Sequence, residues 1–318
     1  MRPAYLNLLE QPAADDGHPS ARNELDRRAA ELTARLGDCT LCPRGCHVNR
    51  LQGEVGFCRT GRHALVSSCN AHFGEESPLV GRHGSGTIFL THCNLRCLFC
   101  QNCDVSHLGH GREVTADELA GMMLMLQRQG CHNINFVTPS HVVPQIVEAL
   151  VIAAERGLNV PLVYNTSGYD SVETLRLLDG VFDIYMPDVK YADPEVAEEL
   201  SSARDYPEVM RAAVTEMHRQ VGDLALDEHG IAERGLLVRH LVLPAGLAGT
   251  REIVEFLADL SANTYLNVMA QYRPCYEADA HPLMRRGITR QEYEAAVELA
   301  LQAGLTRLDE RRPRLVVF

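Results

Sequence analysis

From about residue 84 the chain alternates short apolar runs with longer segments whose apolar residues recur at helical spacing. The apolar runs show no alternation with polar residues, which is typical of strands that are buried on both faces of a parallel sheet. The predicted strands are GTIFLTH (86–92), NINFVTP (133–139), PLVYNTS (161–167), VFDIYMPDVK (181–190), GLLVRHLVLP (235–244) and YLNVMAQ (265–271).

The segments between these runs have the periodicity of amphipathic helices. They predict helices over 115–130, 142–157, 171–180, 250–261 and 289–304, two helices within 193–221 (DPEVAEELSS and YPEVMRAAVTEMHRQV), and a further one near the N-terminus over 22–36. Repeated strand–helix units predict an α/β fold with a buried parallel sheet and helices outside it. In such folds ligands bind at the carboxyl ends of the strands, where the predicted strands here end in polar residues.

The first 80 residues have a different composition. Residues 1–21 are polar and rich in Pro, Gly and Asp, and predict a loosely ordered arm. Residues 37–80 include a group of four cysteines (Cys39, Cys42, Cys46 and Cys58) among glycines and prolines, with too little apolar material for a core of their own. We therefore expect two units: an N-terminal arm with a cysteine-rich, metal-binding extension (1–80) and a larger α/β domain (81–318).

Composition narrows the class of protein. The chain has 318 residues, 46% hydrophobic and 23% charged, and a net charge of −12, which argues against general nucleic-acid binding. No apolar run is long enough to cross a membrane, and the N-terminus lacks a secretory signal. We expect a cytoplasmic location, where the 11 cysteines indicate metal or redox chemistry more than disulfides.

Three of the cysteines are closely spaced directly after the first predicted strand. They are Cys93, Cys97 and Cys100, in the run THCNLRCLFCQNC. Three soft thiolates at this spacing can bind three irons of a cubane cluster and leave the fourth iron open for a ligand. A zinc knuckle or chance spacing is the alternative. Cys103 is an ambiguous fourth thiol, because as a ligand it would close the open iron and favour a ferredoxin-like electron carrier.

A second group consists of Cys39, Cys42, Cys46 and Cys58. Four soft ligands, opened by a CxxC turn, suit either a closed tetrahedral zinc site or a fully ligated [4Fe-4S] cluster. The spacing indicates a metal but leaves both identities open.

The chain resembles the radical S-adenosylmethionine (SAM) superfamily, and within it the pyruvate formate-lyase activating enzymes, in particular their uncharacterised iron–sulfur branch. The resemblance covers roughly residues 39–304. It is carried by CNLRCLFCQN with Phe99 before the last cysteine, and by NTSGY (165–169), YMPDVKY (185–191) and LVRHLVLPAG (237–246). It implies a partial (β/α)6 barrel with the cysteine loop at its mouth, a [4Fe-4S] cluster and SAM.

The same resemblance assigns residues that hold SAM and a nearby monovalent cation. These are Asn165, Thr166 and Met186, with Asp188 facing the cation and Lys190 facing the SAM carboxylate or ribose. A salt bridge at a strand end is the alternative for the last two residues.

Arg239 is expected to contact the SAM carboxylate in a bidentate manner. One segment departs from the family pattern. Where these enzymes usually carry a Gly-Gly-Glu-like sequence that receives the SAM amino group, this chain has Phe-Val-Thr-Pro-Ser-His over 136–141. Thr138 and Ser140 can still present oxygens there, and His141 is a functional group or a helix-capping residue.

By resemblance, one electron from the cluster cleaves SAM to a 5′-deoxyadenosyl radical, which abstracts a hydrogen atom. The family implies a glycine of a glycyl-radical enzyme as the target, and an electron donor such as flavodoxin or ferredoxin. Modification of a peptide or a small metabolite is the alternative within the same chemistry. A non-catalytic iron–sulfur electron-transfer protein is the alternative from another class.

Overall fold

The computed structural model describes residues 2–13 and 21–309. The strands are Ala64–His72 (β1), Ser85–Leu90 (β2), Arg112–Val114 (β3), Ile134–Val137 (β4), Leu162–Thr166 (β5), Ile184–Pro187 (β6), Ala225–Leu226 (β7), Ala232–Leu241 (β8) and Tyr265–Met269 (β9). The α-helices are Tyr5–Glu10 (α1), Glu24–Ala34 (α2), Ser77–Val80 (α3), Cys103–Ser106 (α4), Ala116–Arg128 (α5), Val143–Glu155 (α6), Val172–Leu177 (α7), Pro194–Ser201 (α8), Tyr206–Val221 (α9), Thr250–Leu260 (α10) and Arg290–Gln302 (α11).

All six predicted strands form, and they pair in parallel in the order β2, β4, β5, β6, β8 and β9. The helices of the connections lie outside this sheet. Within the described ranges, β9 pairs with β8 and the opposite end of the sheet is β3, so the curved sheet stays open. This confirms the predicted α/β fold, a partial (β/α)6 barrel with a cysteine-rich N-terminal region.

The helix starts follow local capping chemistry. The Thr115 hydroxyl accepts from the backbone N–H of Glu118, whose carboxylate accepts from the backbone of Thr115 in return, so α5 begins with a capping box. Thr289 and Glu292 do the same for α11. These reciprocal bonds satisfy N–H groups that have no partner inside the helix.

Two expectations for the N-terminal region were wrong in part. Residues 64–72, expected to be loop, form β1, which runs antiparallel to β2. Within the arm expected to be loosely ordered, α1 packs Tyr5 and Leu8 into the core, and the Ala4 N–H donates to Asp183 Oδ1 over 2.8 Å. The division at residue 80 stays a prediction, although β1 and β2 belong to one sheet.

The interior of the barrel is apolar at the amino end of the strands. There Leu79 of α3 packs against a small buried cluster that comprises Val163, Ile184, Met186, Leu224, Ala232 and Leu237. Because side chains alternate along a strand, the residues two positions further on face the same interior. They are polar: Asn165 in β5, Asp188 after β6 and Arg239 in β8. The barrel therefore has a polar interior at its carboxyl end.

Candidate metal and cofactor site

The three-cysteine loop follows β2 at the carboxyl end of the barrel, as predicted. Burial first, and then the neighbouring thiols of Cys97 and Cys100, raise the pKa of Cys93 to about 12. Burial likewise raises the pKa of Cys100. The Cys93 and Cys100 thiols thus resist ionising unless positive charge is supplied. A bound metal supplies that charge, because thiol ligands give up their protons on coordination.

Each sulfur of the loop has a hydrogen-bond partner. The backbone N–H of Leu95 donates to Cys93 Sγ over 3.4 Å, and the Ser201 hydroxyl donates to Cys97 Sγ over 3.0 Å. The Cys100 and Ser106 side chains are hydrogen-bonded over 2.9 Å. Three soft donors, flanked by polar hydrogens that stabilise thiolates, fit three corners of an iron–sulfur cluster.

A buried ionic network lies inside the barrel next to this loop. Asp188 binds Lys190 Nζ through one oxygen and Arg239 Nε through the other, each over 2.7 Å. Burial would raise the pKa of Asp188, but the two cations outweigh it and lower that pKa to about 2. Arg239 Nη2 also donates to Asn165 Oδ1 over 2.7 Å. Four residues that the family resemblance selected therefore form one connected network.

Lys190 connects this network to the cysteine loop. Burial lowers the pKa of its ammonium group, but the charges of Asp188 and Cys97 outweigh burial and raise it overall. The same ammonium group favours the thiolates of Cys93 and Cys100. A buried cation thus stands between the three-cysteine loop and the carboxylate of Asp188, where an anionic group of a cofactor would be attracted.

Residues that the sequence analysis did not select support this network. The Tyr206 hydroxyl accepts from the Lys190 backbone N–H over 3.0 Å, and it lies 2.9 Å from the carbonyl of Asp188. Glu75 approaches Arg239 Nη1 over 3.4 Å, and Glu76 accepts from Asn267 Nδ2 over 2.7 Å. The two glutamates precede α3 and enter the barrel with it. An acidic pair in a loop has no spacing that marks it in the sequence.

The remaining predicted residues lie around the network. Met186 is fully buried beside Leu79, and Phe99 is buried with its ring edge-on to Tyr191 and Tyr272. Thr138 has a left-handed backbone, with φ of 63°, and its N–H donates to the Asn165 carbonyl over 2.8 Å.

Ser140 and Thr166 are bonded to each other over 3.0 Å, and the Thr166 hydroxyl donates to the buried carboxylate of Asp170 over 2.6 Å. Thr166 lies on the opposite face of β5 from Asn165, which faces the barrel interior. A direct contact of these two hydroxyls with SAM stays a prediction.

The four N-terminal cysteines come together. Cys39, Cys42, Cys46 and Cys58 line one cavity. Burial, together with the other three thiols, raises the pKa of Cys42 to about 12. Gly56 closes the loop tightly, because a Cβ there would lie 2.7 Å from Cys46 Sγ. The donor set and the close approach fit a metal centre held by soft ligands.

Among residues 2–13 and 21–309, no three His, Cys, Asp or Glu side chains are grouped as ligands of a single metal ion. In the same part of the chain, no helix is both long and apolar enough to cross a membrane.

Comparison with known proteins gives consistent matches. Residues 87–220 match the family model described as the radical SAM superfamily. An uncharacterized protein of Methanocaldococcus jannaschii is 34% identical over 286 residues, which cover 87% of this chain and 78% of that protein. A pyruvate formate-lyase-activating enzyme of Clostridium pasteurianum is 24% identical over 200 residues, covering 60% of this chain and 76% of that enzyme.

Among solved structures, anSMEcpe with bound AdoMet and the Cp18Cys peptide matches with a TM-score of 0.44 and 12% identity. The match covers 69% of this chain and 60% of that one.

Proposed function

This chain belongs to the radical SAM superfamily, and we propose that it binds a [4Fe-4S] cluster through Cys93, Cys97 and Cys100 and uses it on SAM. When bound, the cluster supplies one electron for reductive cleavage of SAM, and the resulting 5′-deoxyadenosyl radical takes a hydrogen atom from a substrate. The protein binds, orients and shields these groups.

One observation carries the proposal. The cysteine loop lies within electrostatic reach of a buried network in which Lys190 and Arg239 are the cations and Asp188 is the anion. SAM brings a carboxylate, an ammonium and a sulfonium, so a site for it needs both signs of charge. Arg239 and Lys190 would hold the carboxylate, and Asp188 would keep both cations in place.

For the N-terminal cysteines we propose a second [4Fe-4S] cluster, with zinc as the alternative. Cys39, Cys42, Cys46 and Cys58 supply four soft donors around one cavity. Two arginines also line that cavity, Arg44 and Arg50. Positive charge beside four thiolates offsets the net negative charge that either centre would carry, so the arginines support a bound metal centre of either kind.

As the substrate we propose a glycine in a partner protein, whose Cα would lose a hydrogen atom and keep a stored glycyl radical. The likeness to the pyruvate formate-lyase-activating enzyme of C. pasteurianum supports this substrate class. A one-electron donor such as flavodoxin or ferredoxin would reduce the cluster.

The first experiment tests the chemistry. The protein is loaded anaerobically with iron and sulfide, then mixed with SAM and dithionite, and 5′-deoxyadenosine is measured by chromatography. We expect product with the native chain and none with Cys97→Ala. Iron binding without any SAM cleavage would support an electron carrier and contradict the proposal. Iron, zinc and sulfide analysis of the Cys97→Ala protein identifies the N-terminal metal.

The second experiment tests the substrate. The loaded protein is incubated with SAM, reductant and a candidate glycyl-radical enzyme, and electron paramagnetic resonance is recorded. A glycyl doublet supports the proposed substrate. SAM cleavage that is stimulated only by a peptide or a small metabolite would reject the glycyl-radical role while keeping the radical SAM chemistry.

A further inference from the structure

Two side chains in the wall of the four-cysteine cavity have polar atoms without a hydrogen-bond partner among the described residues. They are Arg44, through Nη2, and His141, through Nδ1, and both atoms are buried. His141 is only 1% exposed. Buried polar atoms are rarely left unpaired, because each costs about 1–3 kcal/mol. Arg44 Nη2 carries hydrogens, so it indicates an electron-rich guest in this cavity that accepts from it. His141 Nδ1 is an acceptor and would not pair with the same guest.

A second nitrogen of each of these two side chains is hydrogen-bonded to the backbone of the three-cysteine loop or of the strand end before it. Arg44 Nε donates to the carbonyl of Asn94 over 2.8 Å. His141 Nε2 is hydrogen-bonded to the carbonyl of Thr91 over 2.9 Å, so this nitrogen carries the proton. These two carbonyls stand on either side of Cys93. The backbone at the first cluster ligand is thus held from the wall of the other cysteine site.

A third connection runs through Phe57, which precedes Cys58. Its backbone N–H donates to Cys46 Sγ over 3.4 Å, and its carbonyl accepts from Arg96 Nη2 over 2.9 Å. The Arg44 guanidinium lies 3.9 Å from the centre of the Phe57 ring. Arg96 belongs to the cysteine loop and interacts electrostatically with both Cys93 and Cys58. The two cysteine sites are therefore connected through Phe57 and Arg96.

We propose that Arg44 couples the N-terminal metal centre to the SAM cluster, by donating from Nη2 to that centre and fixing the backbone around Cys93 through Nε. This rests on the proposed function, since it needs both centres. Arg44 is a positioning residue: it touches neither SAM nor substrate. Loss of the N-terminal metal would free its side chain and loosen the geometry in which the open iron receives SAM.

A double-mutant cycle tests the coupling. The four proteins are the native chain, Arg44→Gln, the pair Cys39→Ser and Cys42→Ser, and the combination of all three substitutions. For each, the SAM dissociation constant and the midpoint potential of the SAM-responsive cluster are measured by anaerobic spectroscopic titration. Neither readout depends on turnover. Arg62→Gln is the matched control, because Arg62 pairs with Glu148, which does not line the cavity.

We expect removal of the N-terminal metal to weaken SAM binding at least threefold in the native chain and to have little further effect once Arg44 is Gln. Arg62→Gln should behave as the native chain does. Equal effects in both backgrounds would overturn the coupling while leaving the radical SAM function intact. A native protein that holds no metal at the N-terminal cysteines would overturn it as well. If Arg44→Gln does not fold, Arg44→Lys is used in its place. A lysine keeps the positive charge but lacks the separate Nε and Nη2 donors of the guanidinium group.

Discussion

A short chain of hydrogen bonds ends on Cys97 Sγ in the three-cysteine loop. Removal of this chain should make a cluster bound by the loop harder to reduce. Ser201, the last residue of α8, is fully buried and donates to Cys97 Sγ over 3.0 Å. Its oxygen is 2.7 Å from the Tyr191 hydroxyl. Because Ser201 gives its proton to the sulfur, Tyr191 must give its own to Ser201. The substitution Ser201→Ala removes this chain without changing a charge.

The size of the effect follows from the strength of the bond to sulfur. A hydrogen bond to a charged group contributes about 1.5–3 kcal/mol. Reduction adds one negative charge to a cluster and strengthens such a bond. We take the gain in bond strength to be at most the difference between the two ends of this range, about 1.5 kcal/mol. For one electron this corresponds to a midpoint potential lower by up to about 60 mV. Tyr191→Phe only weakens the chain, by about 10–30% per bond, so its shift should be smaller and of the same sign.

The assay is a redox titration of the loaded protein followed by electron paramagnetic resonance. Ser67→Ala is the control, because Ser67 is exposed on β1. We expect the order native, Tyr191→Phe, Ser201→Ala from highest to lowest potential. The reasoning is refuted if Ser201→Ala retains its full iron content and its potential does not fall, or if Tyr191→Phe shifts the potential more than Ser201→Ala does.

Three further outcomes follow from buried contacts. Asp188→Asn leaves Lys190 without its anion and Arg239 with the longer contact to Glu75, which should destabilise the fold by up to about 3–5 kcal/mol in urea unfolding and weaken SAM binding at neutral pH. Gly56→Ala drives a methyl group to 2.7 Å from Cys46 Sγ and should lower the iron content of the N-terminal centre, whereas Gly61→Ala, with nothing within 4 Å, should not. Cys103→Ser should keep a full cluster and SAM cleavage, because Cys103 already belongs to α4; loss of the cluster would make it a ligand.

Residues 86–271 show why the parallel sheet was predictable from sequence. The parallel strands there are mostly apolar and show no regular alternation with polar residues, and burial between helices and a barrel interior demands that composition. β1 was missed because its outer residues face solvent at Ser67, Ser68 and Asn70, so its sequence reads as a loop. Its pairing with β2 depends on neighbours in space that no local pattern records.

The residues of the candidate site also fall into those that could be predicted from the sequence and those that could not. The cysteines were found because metal binding requires their residue type at short spacing, and the ionic network because its residues sit at strand ends. Glu75 and Arg44 were missed, since each acts across a long stretch of chain: Glu75 on Arg239, and Arg44 on Asn94. Hydrogen bonds from a loop to a distant backbone carbonyl leave no periodicity in the sequence.

If SAM binds at the ionic network, as proposed, the network would also explain how a buried site can be ready for it. A buried salt bridge adds little stability, because desolvation offsets the attraction, so its value here lies in position. Arg239 is held at Nε by the charged Asp188, whereas Nη2 is held by the neutral amide of Asn165. A carboxylate that replaces the amide at Nη2 exchanges a neutral hydrogen bond for a charge-assisted one, which is roughly twice as strong. The Asp188 pair stays intact in this exchange. Binding of that carboxylate would thus replace the weaker hydrogen bond of Arg239, the one to Asn165. The stronger bond to Asp188 would keep the guanidinium oriented beside the three-cysteine loop.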